Sequence, residues 1–227
     1  MSTKIIVSYD GTANEDDAIA LGDVFALAGA EVSLGYVRHT SQAVSDEEAQ
    51  EVLTRGAALF AGTFASSHVV TDRSTPEGLR ALAAELGADV IAFCSDSHTA
   101  TGHISVGNSA ERLLERGQTA IAIAPVGLAQ DTAATRVRRI VSVGEAGGDD
   151  SADETARALA AALGAEVVPV ADDSADLLVI GSRPDAEQGR ISLSSSAAHL
   201  IEIATCPVLV VPRGVSLAFG GTPALSA

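Results

Sequence analysis

The chain has 227 residues, 47% of them hydrophobic, and 14 basic against 30 acidic side chains give it a formal charge of −16. So acidic a surface disfavours unspecific binding to nucleic acid or to anionic lipid, both of which need basic patches. The apolar content is enough for one large domain or two small ones and excludes wholesale disorder.

Aromatic residues make up only 3% and tryptophan is absent, so the core is built from Ala, Val, Leu and Ile. Lys4 is the only lysine, which excludes a Walker-type phosphate lysine further along. Cys94 and Cys206 lie in or beside apolar runs and read as buried thiols of a reducing compartment. The start MSTKIIVSYDG lacks a basic then long apolar leader, and no apolar run approaches the roughly 20 residues of a membrane helix. A soluble, cytoplasmic protein is the expectation.

Short β-branched runs alternate with longer Ala/Leu segments at helical spacing, the pattern of βαβ units on a parallel sheet. Residues 4–9 form a first strand and 13–29 a helix with acids in its first turn, where the helix dipole favours them. A second strand covers 31–37, and a helix opens near Ser45, whose spacing to Glu48 is that of a capping box. Residues 67–71 are a third strand and 75–87 a third helix, with Pro76 at its start. A fourth strand at 89–94, a polar loop, a helix from Asn108 to Arg116 and a fifth strand at 119–124 complete one unit, followed by a linker at 126–135.

The pattern then begins again. RRIVSVG at 138–144 resembles KIIVSYD at 4–10, GAEV at 164–167 repeats GAEV at 29–32, and ADLLVIGS at 175–182 answers ADVIAFCS at 88–95. From there GRISLSSSAAHLI at 189–201 lies against GHISVGNSAERLL at 102–114 without a gap. The separation falls from 135 to 87 positions, so the second copy lacks 48 residues, which correspond to helix two, strand three and helix three. Only about five residues then separate Val170 from the next strand, whereas a parallel return normally takes about a dozen. The expectation is a short strand followed by an extended crossing within 166–176.

Three segments carry a family resemblance: VSYDGT at 7–12, the stretch from Cys94 to Glu111, and CPVLVVP at 206–212 with its counterpart TAIAIAP at 119–125. In this order and spacing, seen twice, the chain resembles the universal stress proteins in tandem form, with a truncated second repeat. The resemblance implies an α/β fold of two open, parallel, Rossmann-like sheets of strand order 3-2-1-4-5, the second lacking about one βα unit and an edge strand. The implied domains are 1–128, an abbreviated 136–215, and a C-terminal tail at 216–227. It further implies an internal pseudo-dimer through the fifth strands, with further homo-oligomers open to it.

Family members that bind ATP carry Gly-x2-Gly-x9-Gly-Ser/Thr in the loop after strand four. Here the positions read Cys94, Ser97, Gly107 and Asn108 in the first repeat, and Gly181, Pro184, Ser194 and Ser195 in the second. In sheets of this kind, ligands bind outside the carboxyl ends of the strands. The candidate nucleotide residues are therefore Asp10, Gly11 and Thr12 at the end of strand one, Val37 at the end of strand two, and Gly102, Gly107, Asn108 and Ser109 in the loop. Asp10 can accept from an adenine amino group or a ribose hydroxyl, Gly11 allows close backbone approach, and the start of helix four offers amides to a phosphate. Gly144 stands opposite Asp10 in this alignment, so the second repeat is not expected to bind.

ATP, with Mg2+, is the expected ligand, and a nucleotide-binding regulator the expected function. The alternative is an interaction scaffold with degenerate phosphate loops, since Asp-Gly is also a common turn and Asn-Ser an ordinary cap. Catalysis is the weakest expectation, slow ATP hydrolysis at most. His98 and His103 near Asp96 read as solvated loop residues, Cys94 as a core residue, and Arg38 and His39 as residues leaving strand two on the ligand side.

Overall fold

The computed structural model describes residues 2–220 except 13, 42–43, 63, 97, 116, 132–134, 146 and 170–174. The first half alternates β1 (Lys4–Ser8), α1 (Glu15–Leu27), β2 (Glu31–His39), α2 (Asp46–Ala57), β3 (Ser66–Asp72), α3 (Thr75–Leu86), β4 (Val90–Cys94), α4 (Asn108–Leu114) and β5 (Ala120–Ala124). The second half has β6 (Arg139–Val143), α5 (Ser151–Leu163), β7 (Glu166–Val168), β8 (Leu177–Ile180), α6 (Ser195–Ile203) and β9 (Val208–Val210).

These strands form one nine-stranded sheet of order β3-β2-β1-β4-β5-β9-β8-β6-β7. The first half is 3-2-1-4-5, and the second is the same order run backwards without its third strand. All neighbours are parallel except β5 and β9, which pair antiparallel through Ile121–Val210, Ala122–Leu209 and Ile123–Val208. Within the second half, β7 and β8 both pair parallel with β6. Residues 166–168 thus form the short strand, Asp176 resumes the sheet by donating its N–H to the Arg139 carbonyl, and the crossing at 170–174 lies outside the described residues.

Strands two residues in period present alternate side chains to opposite faces. Ile5 and Val7 enter one apolar layer with α1, α2 and α5, while Ile6 enters the other with α3, α4 and α6. Each layer draws residues from both halves of the chain. Full burial of each Val, Leu or Ile in such a layer stabilises by about 1.5–3 kcal/mol.

Local signals set the helix ends. Ser45 and Glu48 form the capping box, with Glu48 N–H donating to Ser45 Oγ at 3.1 Å and Ser45 N–H to Glu48 Oε2 at 2.8 Å. Pro76 sits at the start of α3, and Gly87 ends it in the left-handed conformation at φ 63°.

The repeat is visible in side-chain chemistry. Ser95 Oγ donates to the Ala124 carbonyl at 2.7 Å and accepts from Ser105 N–H at 3.3 Å. Ser182, 87 positions later, makes the same pair of bonds to Val211 and Ser192 at 2.9 and 3.3 Å. Asp89 accepts from Lys4 N–H at 2.8 Å, as Asp176 does from Arg138 and Arg139 N–H at 2.8 and 2.9 Å.

Two connections tie the halves together beyond the sheet. The segment after β5 includes a 3-10 turn at Leu128–Gln130, held by buried Asp17, which accepts from Gly127 and Ala129 N–H at 2.9 and 2.8 Å. After β9, residues 216–220 run from α5 back onto α1. Leu217 N–H donates to Thr155 Oγ1, Thr3 Oγ1 donates to the Ala218 carbonyl, Phe219 stacks on Phe25 at 6.0 Å, and Gly220 N–H donates to the Ala28 carbonyl. The described part of the tail is a strap between the two halves; its remainder lies outside the described residues.

Candidate functional site

The carboxyl ends of β1 and β4 are neighbours in the sheet, so the turn after β1 stands beside the loop after β4. A long hydrogen bond links them, with Asn14 Nδ2 donating to the Asp96 carbonyl at 3.5 Å. Asn14 has φ 70°, unusual for a residue with a Cβ, and Gly11 has φ 80°. Both left-handed residues turn the chain at the strand end.

That turn aims three consecutive amides at one point, and the chain fills it with its own carboxylate. Glu15 Oε2 accepts from the N–H groups of Asp10, Gly11 and Thr12 at 2.5, 2.6 and 3.2 Å. Burial, and then the neighbouring Asp10 carboxylate, push the Glu15 carboxyl up to about 8. Glu15 is 6% exposed. Sequence reasoning missed this role and treated Glu15 only as a first-turn acid. The available signal was its position three to five residues after a turn that required a left-handed glycine.

Asp10 itself is exposed, and its Oδ1 accepts from Thr12 N–H at 3.0 Å. Val37 is buried, its side chain packed against Gly78, where an added Cβ would lie 2.7 Å from Val37 Cγ1. Gly102 has φ 81°, donates to the Val126 carbonyl at 2.7 Å, and lines a 280 Å3 cavity with Val126 and Pro207 on the seam between the halves. Gly107, Asn108 and Ser109 open α4. Ser97 lies outside the described residues.

The equivalent helix starts differ. In the second repeat the N-cap Ser194 accepts through Oγ from Ala197 N–H at 3.0 Å, so that α6 caps itself. In the first repeat the N-cap is Gly107, which has no side chain to do this, and the nearest atom to an added Cβ would be Asp96 Oδ2 at 4.0 Å. The start of α4 is open to an acceptor from outside the helix.

Registers correct the repeat alignment by one residue. Lys4 pairs with Glu31 and Ile5 with Val90, while Arg139 pairs with Glu166 and Ile140 with Leu177. Ile5 is therefore equivalent to Ile140, and the residue matching Asp10 is Glu145, not Gly144. The shared Ile-Val-Ser string at 6–8 and 140–142 had favoured the wrong frame.

Arg38 and His39 are engaged within the chain. Arg38 pairs with Asp46 and donates to Thr71 Oγ1 through Nε and Nη2 at 3.1 and 2.8 Å; His39 bonds the Arg73 carbonyl and Thr75 Oγ1. Hydrogen bonds from His98 hold the Asp96 carboxyl below its ordinary range. Burial, and then Glu15, push the Cys94 thiol up to about 12. Among the described residues no three His, Cys, Asp or Glu side chains group as metal ligands, and no helix is long and apolar enough to cross a membrane.

Residues 161–212 match the model of the universal stress protein family. No curated protein matches the sequence at a significant level. A universal stress protein from Archaeoglobus fulgidus DSM 4304 superposes with TM-score 0.67 at 17% identity, covering 94% of this chain and all of that one. A putative universal stress protein from Pseudomonas aeruginosa UCBPP-PA14 gives 0.67 at 11% identity over 93% and 94% of the two chains. An Archaeoglobus fulgidus universal stress protein in complex with dAMP matches 54% of this chain and 97% of its own at TM-score 0.43 and 15% identity. Residues 161–212 thus match the universal stress protein family model, and the chain as a whole has the fold of these solved universal stress proteins.

Proposed function

We propose that the chain is a universal-stress-type regulatory protein whose first domain, 1–128, binds an adenine nucleotide, ATP with Mg2+, in the cleft above β1 and β4. The abbreviated domain, 136–215, serves as its covalently attached partner in an internal pseudo-dimer. The observation that carries this reading is the contrast between two equivalent helix starts: Ser194 closes α6, whereas Gly107 leaves α4 open with space around it. An uncapped helix start is where a phosphate oxygen is best accommodated without lysine.

The residues present fit such a ligand in part. Asn108 and Ser109 supply the amides of the first turn, and exposed Asp10 supplies a carboxylate for a base or ribose. Asp10 and Asp96 make the cleft acidic, so the nucleotide would be held as its magnesium complex rather than as the free tetra-anion. Val37 is committed to the core and would contribute no more than its backbone.

A second reading is favoured by Glu15. An internal carboxylate already satisfies the three amides after β1, which suits an interaction scaffold that takes no nucleotide. Thermal unfolding with magnesium ATP separates the two. A ligand present at a hundred times its Kd raises stability by about 2.7 kcal/mol, so the wild type should melt at a concentration-dependent higher temperature. Asp10→Ala should weaken that shift. No shift at millimolar magnesium ATP would overturn the nucleotide reading and leave the scaffold.

A further inference from the structure

A groove of about 870 Å3 lies elsewhere, between α4 and α6. It is lined by residues that correspond pairwise through the repeat: Ile104 with Ile191, Leu114 with Ile201, and Glu115 with Glu202, each 87 positions apart. The groove therefore straddles the twofold axis that relates the two halves. Its volume is in the range of sites for small organic molecules, about 300–1,000 Å3.

Its chemistry is polarised. The two isoleucines, Leu114 and Ile201 are buried and form an apolar floor. Glu115 and Glu202 are exposed at equivalent places on the two sides, and Glu111 adds a third exposed carboxylate. His199 Nδ1 lies 3.7 Å from Glu202, and among the described residues no arginine or lysine lines the groove. Glu111 and Glu115 form no ion pair among the described residues.

From this arrangement we propose that the groove binds a linear organic cation with an apolar middle and an ammonium group at each end. The aliphatic segment covers the isoleucine floor, and the twofold relation of Glu115 and Glu202 sets one carboxylate against each positive end. A neutral or singly charged chain of the same length satisfies the floor but leaves one or both carboxylates without a counter-charge. The net charge of −16 adds a long-range attraction of the same sign.

Diaminooctane is the probe, with octylamine and octanol as its singly charged and neutral counterparts. Binding to the whole chain is followed by calorimetry at low salt and by the methyl signals of carbon-labelled isoleucines. Diaminooctane should shift the Ile104 and Ile191 methyls saturably, bind more tightly than octylamine, and weaken as salt is raised. The double variant Glu115→Gln, Glu202→Gln alters two exposed side chains, and it should weaken the diamine roughly fivefold while leaving octanol unchanged. Equal binding of diamine and octanol overturns the proposal. So does a double variant that binds as the wild type does, a non-saturating shift spread over the acidic surface, or sedimentation as a dimer whose second copy covers the groove.

Discussion

Ala122 and Leu209 face each other across the antiparallel β5–β9 pair, and each occupies the position in its repeat that the other occupies in its own. A local twofold axis passes between them. Both side chains are fully buried and belong to the same apolar layer, together with α1 of the first half and α5 of the second.

Leu209→Ala should therefore destabilise the whole chain and not the second half alone. Removing a fully buried leucine costs about 2–5 kcal/mol, depending on how far the site collapses. The urea midpoint should fall in a single cooperative transition with little change in slope. Two separated transitions would mean that the layers shared by the halves do not couple them.

Glu15→Gln should change how stability depends on pH. The carboxyl of the folded chain is raised to about 8 from an ordinary 4.5, so between these values the folded form keeps a proton that the unfolded chain has lost. Stability is then fully present below the lower value and falls as pH rises towards the upper one, by at most about 1.4 kcal/mol per pH unit. The amide of Gln keeps an oxygen for the three backbone donors and does not ionise. Urea unfolding across this range should show a flatter profile for the variant, which gains on the wild type as the solution becomes alkaline.

The two helix starts make opposite predictions for small substitutions. Ser194→Ala removes a cap and should cost about 1 kcal/mol. Gly107→Ala places its methyl in open space at a negative φ, so the folded chain should melt within a degree or so of the wild type. If Gly107→Ala also abolished a magnesium ATP shift seen in the wild type, the loss would be one of ligand approach, because the fold is unaffected.

Phe219→Ala tests the strap. It removes the stacking contact with buried Phe25 and opens that end of α1. A loss of about 1–2 kcal/mol is expected from area and ring contact together, which for a chain of this size lowers the melting temperature by several degrees. Calorimetry is the measurement.

Both thiols should be inert in the folded chain. Burial raises Cys94 and Cys206 to about 12, which leaves a minute thiolate fraction in neutral or mildly alkaline buffer. A disulfide reagent should release colour slowly from the native protein and promptly after unfolding in urea. Prompt reaction of either thiol in the native state would contradict its burial.

Much of the fold was legible because strand residues are β-branched runs and the chain repeats. The missing 48 residues foretold the absent third strand of the second half, and Ser45 with Glu48 foretold the start of α2. The site was less legible. Its residues act through backbone groups, and a sequence does not show where amides point. Asp10-Gly11-Thr12 was noticed as a turn, but the partner of its amides is Glu15, whose role depends on Gly11 and Asn14 both adopting left-handed angles. Val37 was expected to end β2, yet the strand continues to His39, because pairing with β3 extends to Asp72. The one-residue error at Gly144 came from the Ile-Val-Ser string shared by 6–8 and 140–142, which aligns one position away from the structural match; only hydrogen-bond register decides.

The twofold axis lies within a single polypeptide, and this frees the halves from one another. In an assembly of identical subunits each substitution appears on both sides of the axis at once. Here a strand and two helices are missing from one half alone, and serine stands at one helix start where glycine stands at the other. Likeness is retained beside the axis, at Ser95 and Ser182 and along β5 and β9, where each half is the other's packing surface. Divergence has accumulated at the far edge and at the helix starts, where a change on one side asks nothing of its counterpart.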